Sequence, residues 1–262
     1  MSIKEFLGFG GYQRPAEGYL SWQHLTFVTA LVVTMIISAV VLGRQYKGRS
    51  AAEKNRVLTV AAVLIDSVEL FKIVIMCIRS HDPWGWLYNL PLFLCSIQLI
   101  AIPMAAFSKG RLKEASLDFV VLFGLLGAVL GTYFAGNNYS AYPVISLDNV
   151  ASGITHTVAG FASVYIMISG MCSMRRQNIP WTVGILGVFC VLAYLANRLW
   201  DCNYMFLSQG DGTPYDLVYN FVKGNPVLYP MCVVGLFVVY IAGYYCIYFA
   251  IQKVTVGKEA KV

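Results

Sequence analysis

The chain has 262 residues, of which 58% are hydrophobic and 12% are charged. Soluble globular domains carry about 25% charged residues, so this composition excludes an ordinary soluble domain and indicates a polytopic membrane protein. The net charge of +6 arises from Lys and Arg in the loops between apolar segments. No basic stretch is interleaved with aromatic residues, so we expect no nucleic-acid partner.

Seven apolar segments follow one another along the chain, separated by short polar loops. Each has about the 20 residues that a helix needs to cross a bilayer. We therefore predict an all-α fold, a bundle of seven transmembrane helices that forms a single domain over residues 1–262. This predicts an integral membrane protein, in the plasma membrane of a bacterium or in a eukaryotic endomembrane. The predicted helices lie near residues 24–43, 57–78, 87–107, 117–136, 151–173, 181–199 and 228–251.

Lys and Arg concentrate on one side of this predicted bundle. They crowd the first, third and fifth loops and the C-terminal tail, which holds Lys253, Lys258 and Lys261. Positively charged loops stay in the cytoplasm. The pattern therefore predicts an N-terminus outside and a C-terminus in the cytoplasm, which fits an odd number of crossings.

Three charged residues lie near the middle of the second segment. Asp66, Glu69 and Lys72 are spaced by three residues, so they share one face of a helix. Because isolated charges are costly in lipid, we expect Lys72 to neutralise one carboxylate and the face to point into the bundle. Three interpretations stay open: a structural polar cluster, a catalytic or headgroup-binding role for Glu69, and a proton or cation relay.

The third and fifth segments carry a thiol and an imidazole. Both segments enter the membrane from outside, which places Cys95 roughly 12 Å deep and His156 roughly 8 Å deep at the rise of a helix. A buried thiol is inert unless a base lies beside it, and His is the side chain best suited to that task near neutral pH. Cys95 and His156 are therefore candidate catalytic residues, with purely structural roles as the alternative.

Other polar residues gather near the same outer side. His24 begins the first segment, Asn197 ends the sixth, and Asn203 and Tyr204 begin the long loop at residues 200–227. Gln98 lies one turn beyond the thiol. For an acyl-transfer site, Asn203, Gln98 or Tyr204 would donate hydrogen bonds to an oxyanion, and His24 or Glu69 would orient the catalytic imidazole.

Cysteine and histidine spacing gives no sign of a metal or a cofactor. None of the seven cysteines forms a C-x-x-C pair, and the three His residues are scattered. We expect neither a metal site nor a bound cofactor. Cys77 and Cys202 both fall near the outer surface, and a disulfide between them stays open.

Four segments, taken in order, resemble the YwaF-like family of integral membrane proteins. They are Ser21-Trp-Gln-His24-Leu, Leu90-Pro91-Leu-Phe-Leu-Cys95, the segment around His156, and Asn203-Tyr204-Met-Phe-Leu with the downstream Pro214. The chain departs from the pattern at Phe93, where many bacterial members have His, and in a fourth segment that lacks a Pro near its outer end.

The resemblance implies a lipid-modifying membrane enzyme. The vertebrate member of that family is regarded as an ether-phospholipid acyltransferase with an essential Cys and a partner His, and these positions fall on Cys95 and His156. The resemblance thus favours a lipid acyltransferase or lipid-ester hydrolase with a membrane lipid as substrate. The residues leave two alternatives: an ion-coupled transporter that uses Asp66, Glu69 and Lys72, and a non-catalytic membrane receptor or assembly factor.

Overall fold

The computed structural model describes residues 2–259, and side chains as far as residue 253. Lys261 and the side chain of Lys258, which contributed to the predicted orientation, lie outside this description. Every regular element in the described residues is helical, as predicted. The α-helices are α1 (Ile3–Phe6), α2 (Trp22–Tyr46), α3 (Ala51–Ser80), α4 (Gln98–Phe107), α5 (Gly110–Tyr133), α6 (Gly136–Ala141), α7 (Leu147–Ser169), α8 (Ile179–Trp200), α9 (Tyr215–Phe221) and α10 (Leu228–Glu259), with 3-10 turns at Gly85–Asn89, Arg176–Asn178 and Tyr204–Phe206.

Serine side chains fix where three long helices begin. Ser21 accepts the His24 N–H at the start of α2, and Ser146 starts α7 in the same way. At α3, Ser50 and Glu53 hydrogen-bond each other's backbone N–H groups in a capping box. These caps satisfy backbone donors that the first helical turn leaves without partners.

Five helical segments are long and apolar enough to cross a membrane: Trp22–Tyr46, Gly110–Ala141, Leu147–Ser169, Arg176–Trp200 and Leu228–Lys253. Apolar side chains also cover their outer faces, including Ile37 and Val41 on α2 and Val239 and Ile247 on α10. Such faces suit lipid rather than water. The chain is therefore an integral membrane protein, as its composition predicted.

The prediction of one continuous helix over residues 87–107 is wrong. The segment forms a 3-10 turn at Gly85–Asn89, then an irregular stretch, and then α4, which begins only at Gln98. Pro91 causes the break, because a residue before proline is pushed out of the helical conformation. The depth that we assigned to Cys95 from a helical rise fails for the same reason, since Cys95 lies in the irregular stretch.

The chain divides into two compact units between Ser173 and Met174. In the first unit, α7 packs against α2, α3 and α5, and α4 packs against α3 and α5. The middle of α5 is buried from Ala115 to Gly124. This arrangement surrounds α7 with three long helices. In the second unit, α8 packs against α10 and against the turn at Tyr204–Phe206, and α9 packs against α10.

Candidate functional site

Cys95 lies in a turn just before α4. Leu90, which precedes Pro91, is extended with a ψ of 147°. The Ser96 hydroxyl closes the turn, because it accepts the Phe93 N–H at 2.9 Å and donates to the Phe93 carbonyl at 3.1 Å. Cys95 thus lies in a turn at the N-terminal end of α4, which begins at Gln98.

The imidazole of His156 is fixed by its own helix, α7. Its Nδ1 lies 2.7 Å from the carbonyl oxygen of Ser152, one turn earlier. A carbonyl oxygen only accepts hydrogen bonds, so we assign the proton to Nδ1 and a free lone pair to Nε2. The side chains of Cys95 and His156 interact directly with each other. The structure therefore brings together a thiol and a base that is oriented to take its proton.

Two glycines of α5 leave room for this pair. A Cβ atom added at Gly127 would lie 3.2 Å from the Cys95 Cβ, and one added at Gly131 would lie 2.1 Å from the His156 Nε2. Residues four apart share one face of a helix, so the thiol and the imidazole rest on the same face of α5, one turn apart. Our sequence reasoning missed both glycines. Their Gly-x-x-x-Gly spacing, which marks close approach between membrane helices, was the available signal.

Gln98 is the first residue of α4 and is completely buried. Its backbone N–H donates to the Cys95 carbonyl at 3.3 Å. Within the described part of the chain, neither Nε2 nor Oε1 of its side chain has a hydrogen-bond partner. Leaving a buried polar group without a partner costs about 1–3 kcal/mol. An amide in this state is unusual for a residue that serves only to stabilise the fold.

The charged face of α3 lies near the same site. Lys72 Nζ is 2.6 Å from Glu69 Oε1, and both side chains are largely buried. The charge of Lys72 also acts on His156 and on Asp148 of α7. Asp66 is half-buried and has no ion-pair or hydrogen-bond partner among the described side chains. Glu69 and Lys72 therefore neutralise each other, while Asp66 stands apart from the pair.

His24 is buried and occupied by other contacts. Its Nδ1 accepts the Leu20 N–H at 3.2 Å, and its Nε2 donates to the Thr132 carbonyl at 3.0 Å. Its ring also packs on Tyr139 at 3.9 Å between centroids. Both ring nitrogens of His24 are therefore used, and the hydrogen bond that orients His156 at Nδ1 is made to the Ser152 carbonyl. The bond to Thr132 instead fixes α5 next to Gly131.

The three predicted residues near the end of α8 organise a loop of the second unit. The Asn197 side chain accepts the Tyr204 N–H at 2.7 Å and donates to the Tyr204 carbonyl at 3.0 Å. Asn203 accepts the N–H groups of Ser208 and Gln209 and donates to the Gln209 carbonyl. These contacts give Asn197 and Asn203 a structural role in shaping the loop that holds the buried Tyr204.

A cluster at the start of α7 was not predicted. Arg79, at the end of α3, makes two hydrogen bonds of 2.6 and 2.7 Å to the carboxylate of Asp148. The Tyr12 hydroxyl donates to the same carboxylate. Burial and this hydrogen bond raise the pKa of Tyr12 to about 12. The cluster ties the N-terminal segment to α3 and α7.

All seven cysteines, including Cys77 and Cys202, are free thiols. Among the described residues, no group of three or more His, Cys, Asp or Glu side chains is placed to hold a metal ion. Cys95 differs from the other thiols that the structure describes in its direct interaction with an imidazole.

Comparison with known proteins identifies the family. The model of the TMEM164 family matches residues 19–252, which is most of the chain. The match runs from α2 into α10, and it includes Cys95, Gln98 and His156. Neither the curated proteins nor the solved structures give a match. The chain belongs to the TMEM164 family of integral membrane proteins.

Proposed function

We propose that this protein is a membrane-embedded lipid acyltransferase or lipid-ester hydrolase, with Cys95 as the nucleophile and His156 as its base. The observation that carries the proposal is the direct interaction of the two side chains against one face of α5, with His156 anchored at Nδ1 by the Ser152 carbonyl. This arrangement has the three parts of an activated nucleophile: the nucleophile, its base, and a group that orients the base. The YwaF-like resemblance supports an acyl ester of a membrane lipid as the substrate.

The reaction follows from this geometry. Nε2 of His156 takes the Cys95 proton as the sulfur attacks the ester carbonyl carbon, and the carbonyl electron pair moves onto its oxygen. The tetrahedral intermediate then expels the alcohol, which takes the proton from His156, and a thioester remains on Cys95. Water or an acceptor alcohol, deprotonated by the same imidazole, releases the acyl group.

Backbone groups favour the same step. Cys95 lies just before α4, close to the positive end of the helix dipole, which favours negative charge. The break at Pro91 therefore has a functional consequence, because a continuous helix would place Cys95 inside the helix instead of at its start.

We also propose seven membrane crossings, with the N-terminus outside and the C-terminus in the cytoplasm. The two additional crossings are α3 and the segment from Gly85 to Phe107, which holds the short α4. The Glu69–Lys72 pair supports a crossing by α3, since mutual neutralisation lowers the cost of charge in lipid. A reporter fused to the C-terminus should be cytoplasmic, and an extracytoplasmic reporter would refute this orientation.

Replacing the nucleophile tests the enzymatic proposal. We expect Cys95→Ser to reduce the transfer of a labelled acyl chain by the purified protein to background. His156→Gln should slow it by roughly 10²- to 10⁴-fold, the usual contribution of a general base. Cys77→Ser is the matched control, since Cys77 is also a partly exposed thiol of the first unit. Undiminished transfer by a folded Cys95→Ser variant would exclude this mechanism.

A further inference from the structure

The side chain of Gln98 is the strongest unexplained feature of the site. It has no solvent exposure, and both of its polar atoms lack partners in the described part of the chain. An apolar residue would pack there without this cost, because a methionine of similar volume has no polar group to leave unpaired. The position therefore has the properties of a binding group whose partner is a ligand.

Gln98 is close to the reacting Cys95 in the sequence. It follows Cys95 by three residues, and its N–H is bonded to the Cys95 carbonyl. The turn that holds the thiol leads directly into α4 at Gln98, so the same backbone fixes both residues. The backbones of Cys95 and Gln98 are therefore in direct contact, one turn of chain apart.

We infer that Gln98 is a further catalytic residue, which donates an Nε2 hydrogen bond to the carbonyl oxygen that Cys95 attacks. This inference rests on the proposed acyl-transfer function and extends it. As the sulfur–carbon bond forms, negative charge develops on that oxygen, and a donor already in place stabilises it without reorganisation. The Oε1 atom accepts a hydrogen bond from the alcohol once the alcohol has taken the proton from His156 and leaves. Substrate thus provides a partner for both polar atoms of the Gln98 side chain.

Two reactions of the same thiol separate this role from a structural one. Acylation by p-nitrophenyl decanoate passes through a tetrahedral oxyanion, whereas alkylation by iodoacetamide displaces iodide and forms none. Each rate is measured on purified full-length protein in detergent, with mass spectrometry to assign the label to Cys95. The variant is Gln98→Met, and the matched control is Gln45→Met at an exposed glutamine of α2.

We expect Gln98→Met to slow acylation of Cys95 about 100-fold, the effect of removing one oxyanion donor, while alkylation keeps its wild-type rate. The unliganded variant should melt at or above the wild-type temperature, because the change removes two unpaired buried atoms. A glutamine that only stabilises the fold gives the opposite result, a lower melting temperature and no selective loss of acylation. Gln98→Leu tests the same point with a second apolar side chain.

The outcomes distinguish the two proposals. Equal acylation rates for wild type and Gln98→Met would overturn the role of Gln98 and leave Cys95 as the nucleophile. A parallel loss of alkylation would also overturn it, since the amide would then act by holding the thiol. If the wild-type protein is alkylated at Cys95 but never acylated there, the proposed function itself fails.

Discussion

Gly131→Ala should disable the proposed catalytic pair although it replaces neither Cys95 nor His156. The added Cβ would lie 1.9 Å from His156 Cδ2 and 2.1 Å from Nε2. Non-bonded carbon atoms pack at about 3.5–4.0 Å, so the ring has to retreat by about 1.6 Å or more. Since a misplacement of about 1 Å can cost 10²-fold in rate, we expect acyl transfer to fall by at least that factor.

The same substitution should lower the free energy of unfolding by about 1–3 kcal/mol, the usual cost of overpacking. The assay measures acyl transfer per folded molecule, with iodoacetamide alkylation of Cys95 as a second readout. Gly43→Ala is the matched control, because its Cβ would lie 2.7 Å from the Ile168 Cβ, far along α7 from His156. This control should lose stability but keep its rate. A folded Gly131→Ala variant with full activity would refute the proposed catalytic role of the His156 ring in its position against Gly131.

Two further predictions concern the cluster at the start of α7. Asp148→Asn leaves the charge of Arg79 without its counter-ion. The free energy of unfolding, measured in denaturant, should therefore fall by about 3–5 kcal/mol. Glu53→Gln breaks the exposed ion pair with Arg49 but keeps the capping box, so it should change the free energy of unfolding little. Equal losses in Asp148→Asn and Glu53→Gln would contradict a stabilising role of the buried Arg79–Asp148 pair. The raised pKa of Tyr12 means that folding favours its neutral form. The stability that this adds is complete below pH 10 and is lost towards pH 12, so the melting temperature should fall more steeply over that range in wild type than in Tyr12→Phe.

Several of the helices were predictable because one physical requirement dominates each of them. A segment that crosses lipid needs about 20 apolar residues, and charges or serine caps bound it on each side. The predicted segments at 24–43, 151–173 and 181–199 therefore correspond closely to α2, α7 and α8. The prediction of one helix at 87–107 was wrong because an apolar stretch that proline interrupts forms a turn. Hydropathy does not distinguish such a turn from a continuous helix.

The sequence also marked out Cys95 and His156 as a candidate pair, because the residue types and the family resemblance both pointed to them. It did not show which nitrogen of His156 is free, since this depends on a hydrogen bond to the Ser152 carbonyl. It also offered His24 as a group that orients His156, whereas the contacts of His24 with Leu20 and Thr132 give it a role in the fold.

The sequence by itself determined that this chain is a helical membrane protein with a thiol in its third apolar segment and an imidazole in its fifth, because hydropathy and residue chemistry are local properties. Only the tertiary structure decided that Gly127 and Gly131 of α5 make room for the pair, and that Gln98 is buried without a partner among the described residues. Those features depend on which helices meet and at what distance. They arise from contacts between residues far apart in the chain, which no local pattern specifies.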